Sequence, residues 1–237
     1  MSDRDRYARS FGAVAEGYEA NRPPYADAAV DWIAARLPLR DVVDVGAGTG
    51  KLTRQLVERG ATVVAVEPDP EMRAVFARVV PGVPILDGRG EAIPVADGSA
   101  DVITVGQAFH WFERRVALEE MHRALRPGGG VAFLWNRWNE DDPVLGRLNE
   151  LLAGRRPTTD PWDDADRAGL FGAFEERLFS QVRTMTVDQL EGWAASTSGF
   201  VNASRDEQER IRRGIREIVG ASADVAIATS VMVADRA

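Results

Sequence analysis

Three glycines within five residues, Gly46, Gly48 and Gly50, follow the acid Asp44 in the run V-V-D-V-G-A-G-T-G-K-L at 42–52. Glycines at this spacing let the main chain pass close beneath a ligand, where a Cβ would collide. An amphipathic segment at 52–58 opens directly after them and reads as a helix. The first turn of such a helix offers unpaired N–H groups to whatever lies on the loop. Strand, glycine turn and helix in that order hold a nucleotide-type cofactor at the edge of a doubly wound sheet. A plain strand-to-helix turn uses the same residue types, so the loop alone does not decide. A second acid follows: A-T-V-V-A-V at 61–66 reads as a buried parallel strand that ends in Glu67. An acid at that tip can accept two hydrogen bonds from ribose hydroxyls, a device that NAD enzymes share.

The loop spacing separates the possible cofactors. The dinucleotide fingerprint G-x-G-x-x-G would put its third glycine at position 51, which is Lys51. Here the third glycine comes one residue early, giving G-x-G-x-G with an acid two residues before the first glycine. This resembles motif I of the class I S-adenosylmethionine (SAM)-dependent methyltransferases. G-R-G-E-A-I-P-V-A-D-G-S-A-D-V-I at 88–103 resembles the same family's second motif, with Arg89 where an acid often meets the adenine amino group. L-R-P-G-G-G at 125–130, followed by V-A-F-L-W-N, resembles the turn and fifth strand near its third motif.

By this resemblance the fold is an α/β, doubly wound, seven-stranded and mostly parallel sheet of Rossmann-like type, with a helical cap over the active site. The cofactor is SAM and its product S-adenosylhomocysteine. Asp44, Gly46, Gly48, Gly50 and Glu67 then hold the cofactor, and Pro68 and Met72 lie at the adenine edge. With Arg89 in place of the acid, the backbone of Gly90 and Glu91 serves the adenine, and Gln107 completes the set.

Candidate acceptor-side residues crowd into G-Q-A-F-H-W-F at 106–112, just past the fourth strand. Ligands of open α/β sheets sit beyond the carboxyl ends of the strands. The A-F-H-W-F run resembles a small-molecule branch of the family that includes trans-aconitate methyltransferase relatives, and that resemblance puts His110 and Trp111 beside the transferred methyl group. His110 is the one credible base in the chain; a helix-cap histidine beside core aromatics is the competing reading. Phe109, Trp111 and Trp135 are expected to wall the acceptor. His122 reads as a packing residue of the next helix. The segment F-G-A-V-A-E-G-Y-E-A-N-R-P-P-Y at 11–25 also resembles this branch, where it folds over the cofactor. Arg22 would pair with the methionyl carboxylate and Tyr18 would close the site. The amino-methyltransferase tetrapeptide [D/N]-P-P-[Y/F] is absent, since Asn136 is followed by Arg137 and Trp138.

The elements that must position these residues alternate along the chain. Residues 25–37 carry Ala29, Val30, Ile33 and Leu37 on one helical stripe. Strands are expected at 42–46, 62–67, 83–87, 101–106 and 130–136, with helices at 51–59, 70–79 and 114–125 between them. Such alternation builds a parallel sheet. A helix at 144–153 and strands at 178–187 and 225–233 follow, the last two as an antiparallel pair. Helical segments at 188–200 and 205–219 have no place in the sheet and are expected over the substrate mouth.

At 237 residues the chain suits one domain, with a lid and helix at 1–40, a SAM-binding core at 41–136 and substrate-facing elements at 137–237. There is no cysteine, which excludes disulfides and thiolate metal sites, and no metal is expected. A formal charge of −8 argues against a nucleic-acid partner. The charged start M-S-D-R-D-R-Y-A-R-S lacks an apolar signal region, so a cytoplasmic protein without membrane attachment is expected. Monomer and homodimer remain open. Methyl transfer to a small molecule is the leading reading; a SAM-binding module without transfer, a protein or RNA methyltransferase and an NAD oxidoreductase are its rivals.

Overall fold

The computed structural model describes residues 15–139, 141–152, 169–201 and 203–237. The part of the expected lid at 11–14 lies outside them. Helix α1 (Ala15–Asn21) and helix α2 (Asp27–Arg36) precede strand β1 (Asp41–Val45), followed by α3 (Lys51–Glu58), β2 (Thr62–Val66), α4 (Pro70–Val79), β3 (Ile85–Leu86) and β4 (Ala100–Gly106). After a 3₁₀ turn (Phe109–Trp111) come α5 (Arg114–Ala124), β5 (Leu125–Trp138), α6 (Pro143–Leu151) and β6 (Glu175–Thr186). Helices α7 (Val187–Ala195), α8 (Ser198–Val201) and α9 (Arg205–Val219) lead to the last strand, β7 (Ser222–Asp235).

The seven strands form one sheet in the order β3-β2-β1-β4-β5-β7-β6. All neighbours run parallel except β7, which is antiparallel to both β5 and β6. Period-two alternation splits the central strands between two cores. Val43, Val45, Ile103, Val105, Val131 and Phe133 face α5, while Val42, Val102, Ala132 and Leu134 face α2 and α3. Because β1 and β4 are central, they are apolar on both faces, and the one charged residue inside β1 that is buried is Asp44.

Two strands differ from expectation. β3 shrinks to two residues because Pro84, just before it, has no N–H to donate; only its carbonyl pairs, with the Ala65 N–H at 2.9 Å. β5 starts five residues early, at Leu125, and absorbs the Gly-rich turn through a register shift opposite Ala100–Val102. It also runs two residues past the expected end at 136, to Trp138, and β6 and β7 pair on for five residues beyond Ile227 to Thr186 and Ser222. The overshoot carries a third cluster, in which Trp138, Met185, Val225 and Ile227 pack against Leu145 and Leu148 of α6, Leu190 and Trp193 of α7, and Ile211 and Ile215 of α9. This is the cap. Asp142 joins it to the sheet, since one oxygen caps α6 and the other accepts from Ala226 N–H at 2.8 Å. Among the described residues no helix is long and apolar enough to cross a membrane.

The turn from β1 into α3 places Gly46, Gly48 and Gly50 at φ of 70°, 56° and 87°. They meet different surroundings. A Cβ on Gly50 would lie 2.5 Å from Val80 Cγ2 and 2.8 Å from Phe76 of α4, and one on Gly46 would lie 2.5 Å from Ala108. A Cβ on Gly48 would meet nothing within 4 Å. Gly50 therefore serves packing between α3 and α4. We expect Gly50→Ala to cost about 2–4 kcal/mol, combining left-handed strain with overpacking. For a chain of this size that is a melting temperature roughly 5–15 °C lower. Gly60→Ala, at φ 85° with open space around it, should lose only the strain portion. Equal losses in calorimetry would show that the Gly50 contacts contribute nothing.

Candidate active site

The glycine loop is tied to the tip of β2. Gly46 and Ala47 donate to the Val66 carbonyl at 2.8 and 3.1 Å. Glu67, at 6% exposure, then turns its carboxylate back under the loop. One oxygen accepts the Gly48 N–H and the other the Asp69 N–H, each at 2.9 Å. A carboxylate has about four lone-pair sites, so two remain for further donors. Burial pushes the Glu67 carboxyl up to about 7, against the opposing pull of the Asp69 and Gly48 N–H groups. Asp44 is buried on the other side of the loop and accepts from Thr53 and Thr104 hydroxyls at 2.6 and 2.8 Å. Burial raises it to about 6 while the two threonines oppose the rise. Its side chain thus joins β1, α3 and β4, and Asp44 is also among the residues that line the cleft.

Between loop and lid lies a cleft lined by Tyr18, Tyr25, Asp44, Gly46, Ala47, Gly48, Lys51, Leu52 and Gly106, all at the carboxyl edge of β1 and β4. Helix α1 roofs it. Glu19 accepts from the Thr49 hydroxyl at 2.6 Å and pairs with Arg54 at 2.7 Å, while Lys51 Nζ donates to the Glu19 carbonyl at 2.7 Å. Ala15 of α1 packs on Met72 and Val75 of α4. On its other side α1 rests against α7, where any Cβ on Gly192 would overlap Asn21.

Several expected site residues have other partners. Arg22 donates to the Ser196 hydroxyl at 2.8 Å and its carbonyl at 3.0 Å, and lies 5.2 Å over the Tyr18 ring. It joins lid to cap and is not among the residues that line the cleft. Met72 is the apolar seat of α1, and Pro68 stands half-exposed beside it. Gly90 makes room for the Phe112 ring, 2.5 Å from where its Cβ would be, and Glu91 accepts from Glu113 N–H at 2.7 Å. Phe109 is 1% exposed and packs in the core with its ring tilted against Phe133 at 4.6 Å. Trp135, 8% exposed and stacked on Phe133 at 6.3 Å, packs there as well.

His110 and Trp111 are half-buried in the turn beyond the carboxyl end of β4, with ring centroids 4.7 Å apart. The turn begins at Gln107, the one non-glycine residue at positive φ (61°) among the described residues. Gln107 N–H donates to the Leu134 carbonyl at 2.8 Å and its side-chain amide to the Asn136 carbonyl at 2.9 Å, which fixes the strained turn to β5. Burial, with the nearby Arg22 charge, lowers the His110 imidazole to about 4. It is therefore neutral at pH 7. His122 accepts from Arg236 at 3.3 Å and packs edge-on to Phe171, away from the site.

Sequence reasoning missed Tyr25, Lys51 and Glu19. A signal existed for Tyr25: a glycine closing β4 at position 106 implies close approach of another group, and that group is the Tyr25 ring.

The comparisons with known proteins fit this geometry. A family model described as a methyltransferase domain matches residues 43–133, the span from the glycine loop to the fifth strand. An uncharacterised methyltransferase of Mycobacterium tuberculosis is 35% identical over 218 residues, covering 82% of this chain and 89% of that protein. The chain belongs to the methyltransferase family. The solved structure of a putative type II methyltransferase from Anaeromyxobacter dehalogenans is 25% identical, with a TM-score of 0.63 over 91% of this chain and 96% of the other. A geranyl diphosphate methyltransferase in complex with GPP and sinefungin, at 14% identity, shares the fold over 100% of both chains with a TM-score of 0.57. The protein is a SAM-dependent methyltransferase by family and fold.

The Glu67 environment makes a test of the loop independent of any ligand. Its carboxyl is raised from 4.5 to about 7 in the fold. The group's contribution to stability is therefore present below pH 4.5 and lost as pH rises through 7. Glu67→Gln removes that loss but leaves one loop N–H unmatched. The wild type should be the more stable at pH 5, and its advantage should shrink by up to about 3 kcal/mol by pH 8. A difference between the two proteins that stays constant across that range in denaturant titrations would show that the carboxylate is not desolvated.

Proposed function

We propose that this methyltransferase transfers the methyl group of SAM to a small-molecule acceptor held beneath helix α1 and the cap, beside His110. The observation that carries the reading is the bridge from lid to cap, in which Arg22 bonds Ser196 and Gly192 lets α1 lie directly on α7. A mouth roofed in this way admits a small molecule more readily than a folded protein or a duplex. The net charge of −8 supports the same choice.

The cleft residues suit the donor. Gly48 alone of the three loop glycines faces open space, so a ligand can lie directly on the backbone there. The two free lone-pair sites of Glu67 match a pair of ribose hydroxyls. That a distant fold neighbour carries sinefungin, a SAM analogue, is consistent with this assignment. The free space within the cleft is about 20 Å³. That is far below the roughly 300–1,000 Å³ of ligand pockets. Helix α1 and Tyr18 must therefore give way to admit a nucleoside-sized molecule.

SAM supplies a methyl group already activated on sulfonium sulfur, so the protein's task is alignment and the exclusion of water. Under this reading Trp111 and Tyr18 provide apolar surface beside the acceptor. His110, with a pKa of about 4, is a poor match for proton abstraction at neutral pH. As a neutral imidazole it can orient an acceptor through one donor and one acceptor nitrogen. This favours acceptors whose nucleophile needs no base, such as a carboxylate.

Two measurements test the reading. S-adenosylhomocysteine should raise the melting temperature and NAD should not, since only a ligand of the folded state stabilises it. Gly48→Val should abolish that stabilisation. Stabilisation by NAD alone would sink the assignment. With any acceptor that supports turnover, His110→Asn should raise KM roughly fivefold, the scale of one lost hydrogen bond, and leave kcat within a few-fold. The wild-type rate should show no inflection near pH 6.5. A kcat loss of roughly 10²–10⁴ together with such an inflection would make His110 a general base instead.

A further inference from the structure

Tyr25 is the best-anchored side chain lining the cleft. The Pro23 carbonyl accepts from Asn136 Nδ2 at 3.0 Å, and the Pro24 carbonyl from Asn136 at 3.0 Å and Gln181 at 2.9 Å. Gln55 then brackets Tyr25 itself, accepting its N–H at 3.1 Å and donating to its carbonyl at 2.9 Å. Ala26 N–H donates to the Thr229 hydroxyl at 3.0 Å. These bonds come from α3 and from β5, β6 and β7, so they hold Tyr25 independently of helix α1.

The hydroxyl at the end of that side chain has no hydrogen-bond partner among the described residues, although the residue is only 5% exposed. It abuts Gly106, where any Cβ would overlap it. Tyr25 lines the cleft, so a hydroxyl without a protein partner there is available to a ligand, and phenylalanine in the same space would offer none. The chain thus combines a tyrosine, a glycine that seats its hydroxyl and a backbone clamp that fixes it, at the β4 side of the glycine loop. Glu67, the ribose acceptor under the reading above, stands at the β2 side. Lys51 lines the same cleft, its ammonium donating to the Glu19 carbonyl of the lid at 2.7 Å. Arg22, the residue expected from the sequence to meet the methionyl carboxylate, is held by Ser196 instead.

We propose that the Tyr25 hydroxyl, aided by the Lys51 ammonium of the same cleft, holds the carboxylate at the amino-acid end of SAM. This rests on the SAM reading and extends it by naming the donor-side residues that distinguish SAM from a plain adenosine. Burial raises the Tyr25 phenol well above its ordinary range, so it stays a donor and suits an anionic partner. In methylthioadenosine the amino-acid end is missing, whereas the nucleoside and sulfur are the same as in S-adenosylhomocysteine.

The test is calorimetric titration of wild type and Tyr25→Phe with each of these two ligands. Tyr25→Phe should keep the wild-type melting temperature or exceed it, because the ring and its packing remain. It should bind S-adenosylhomocysteine about tenfold more weakly, the scale of a hydrogen bond to a charged group, and methylthioadenosine within twofold of wild type. Lys51→Met should weaken the first ligand selectively in the same way. Unchanged affinity of Tyr25→Phe for S-adenosylhomocysteine overturns the assignment, and so does an equal loss for both ligands, which would mark a structural role. A wild-type chain that binds neither ligand overturns the SAM reading itself, and this assignment with it.

Discussion

The turn from β1 into α3 passes through three residues of positive φ, and the carboxyl edge of the sheet is arranged around the consequences. Without side chains the loop has no means of holding itself, so its neighbours hold it. Gly46 and Ala47 hang from the Val66 carbonyl, Gly48 from Glu67, and the β1 end from Asp44 through Thr53 and Thr104. Both acids are almost fully buried, and both carboxyls are raised by it, to about 6 and about 7. Each neutralises only part of its desolvation cost with hydrogen bonds, although both sit near the positive end of α3, where a carboxylate is favoured. A fold optimised for stability alone would not keep two such groups within one turn. Their presence at the edge where ligands of this fold class bind is the physical mark of a functional site.

The same edge is where the three packed clusters meet. Asn136 of β5 and Thr229 of β7 bond each other at 2.6 Å between the core under α2 and α3 and the core of the cap. Their remaining capacity goes to the segment from Pro23 to Ala26. The connection between α1 and α2 is therefore fixed to the sheet, whereas α1 itself is held by polar contacts of Glu19 and Arg22 and by a small apolar seat on Met72. Exposed and half-exposed ion pairs contribute little each. The lid is thus weakly bound on a firm base, and the cleft it roofs is narrower than a nucleoside requires.

Much of this was legible in the residues. Period-two and period-3.6 patterns located the strands and helices, and the departure from the dinucleotide spacing at Lys51 separated one cofactor class from another. Element ends were less legible. The start of β5 at Leu125 depends on a register shift opposite Ala100, which no local pattern encodes. The individual glycines were harder still: sequence shows that a turn needs positive φ but not what stands on the far side of each Cα. Only the fold shows that Gly50 faces Phe76 and that Gly48 faces open space. Phase was lost in A-F-H-W-F for a similar reason. A single 3₁₀ turn sends Phe109 into the core and leaves His110 and Trp111 half-buried, and three consecutive aromatic-type residues carry no periodicity from which to read that. Tyr25 was hidden because it follows two prolines and opens a helical stripe, so its side chain was counted with α2 and not with the cleft.

What the protein itself can contribute to methyl transfer is narrowed by the titratable groups around the site. Tyr18 and Tyr25 are both raised by burial and stay protonated. Lys51 is engaged with Glu19, and Asp44 with two threonines. Glu67 titrates near neutrality but lies at the tip of β2, on the opposite side of the loop from the aromatic turn. His110, at about 4, holds a proton too weakly to drive the deprotonation of a phenol or an alcohol, for which a group near the working pH is far better matched. The same low value keeps the imidazole uncharged, with the nearby Arg22 charge opposing its protonation, so it offers a neutral, hydrogen-bonding ring. Under the proposed reading the site does not generate a nucleophile; it takes an acceptor that already is one and holds it in line with a methyl group whose activation lies wholly in the donor.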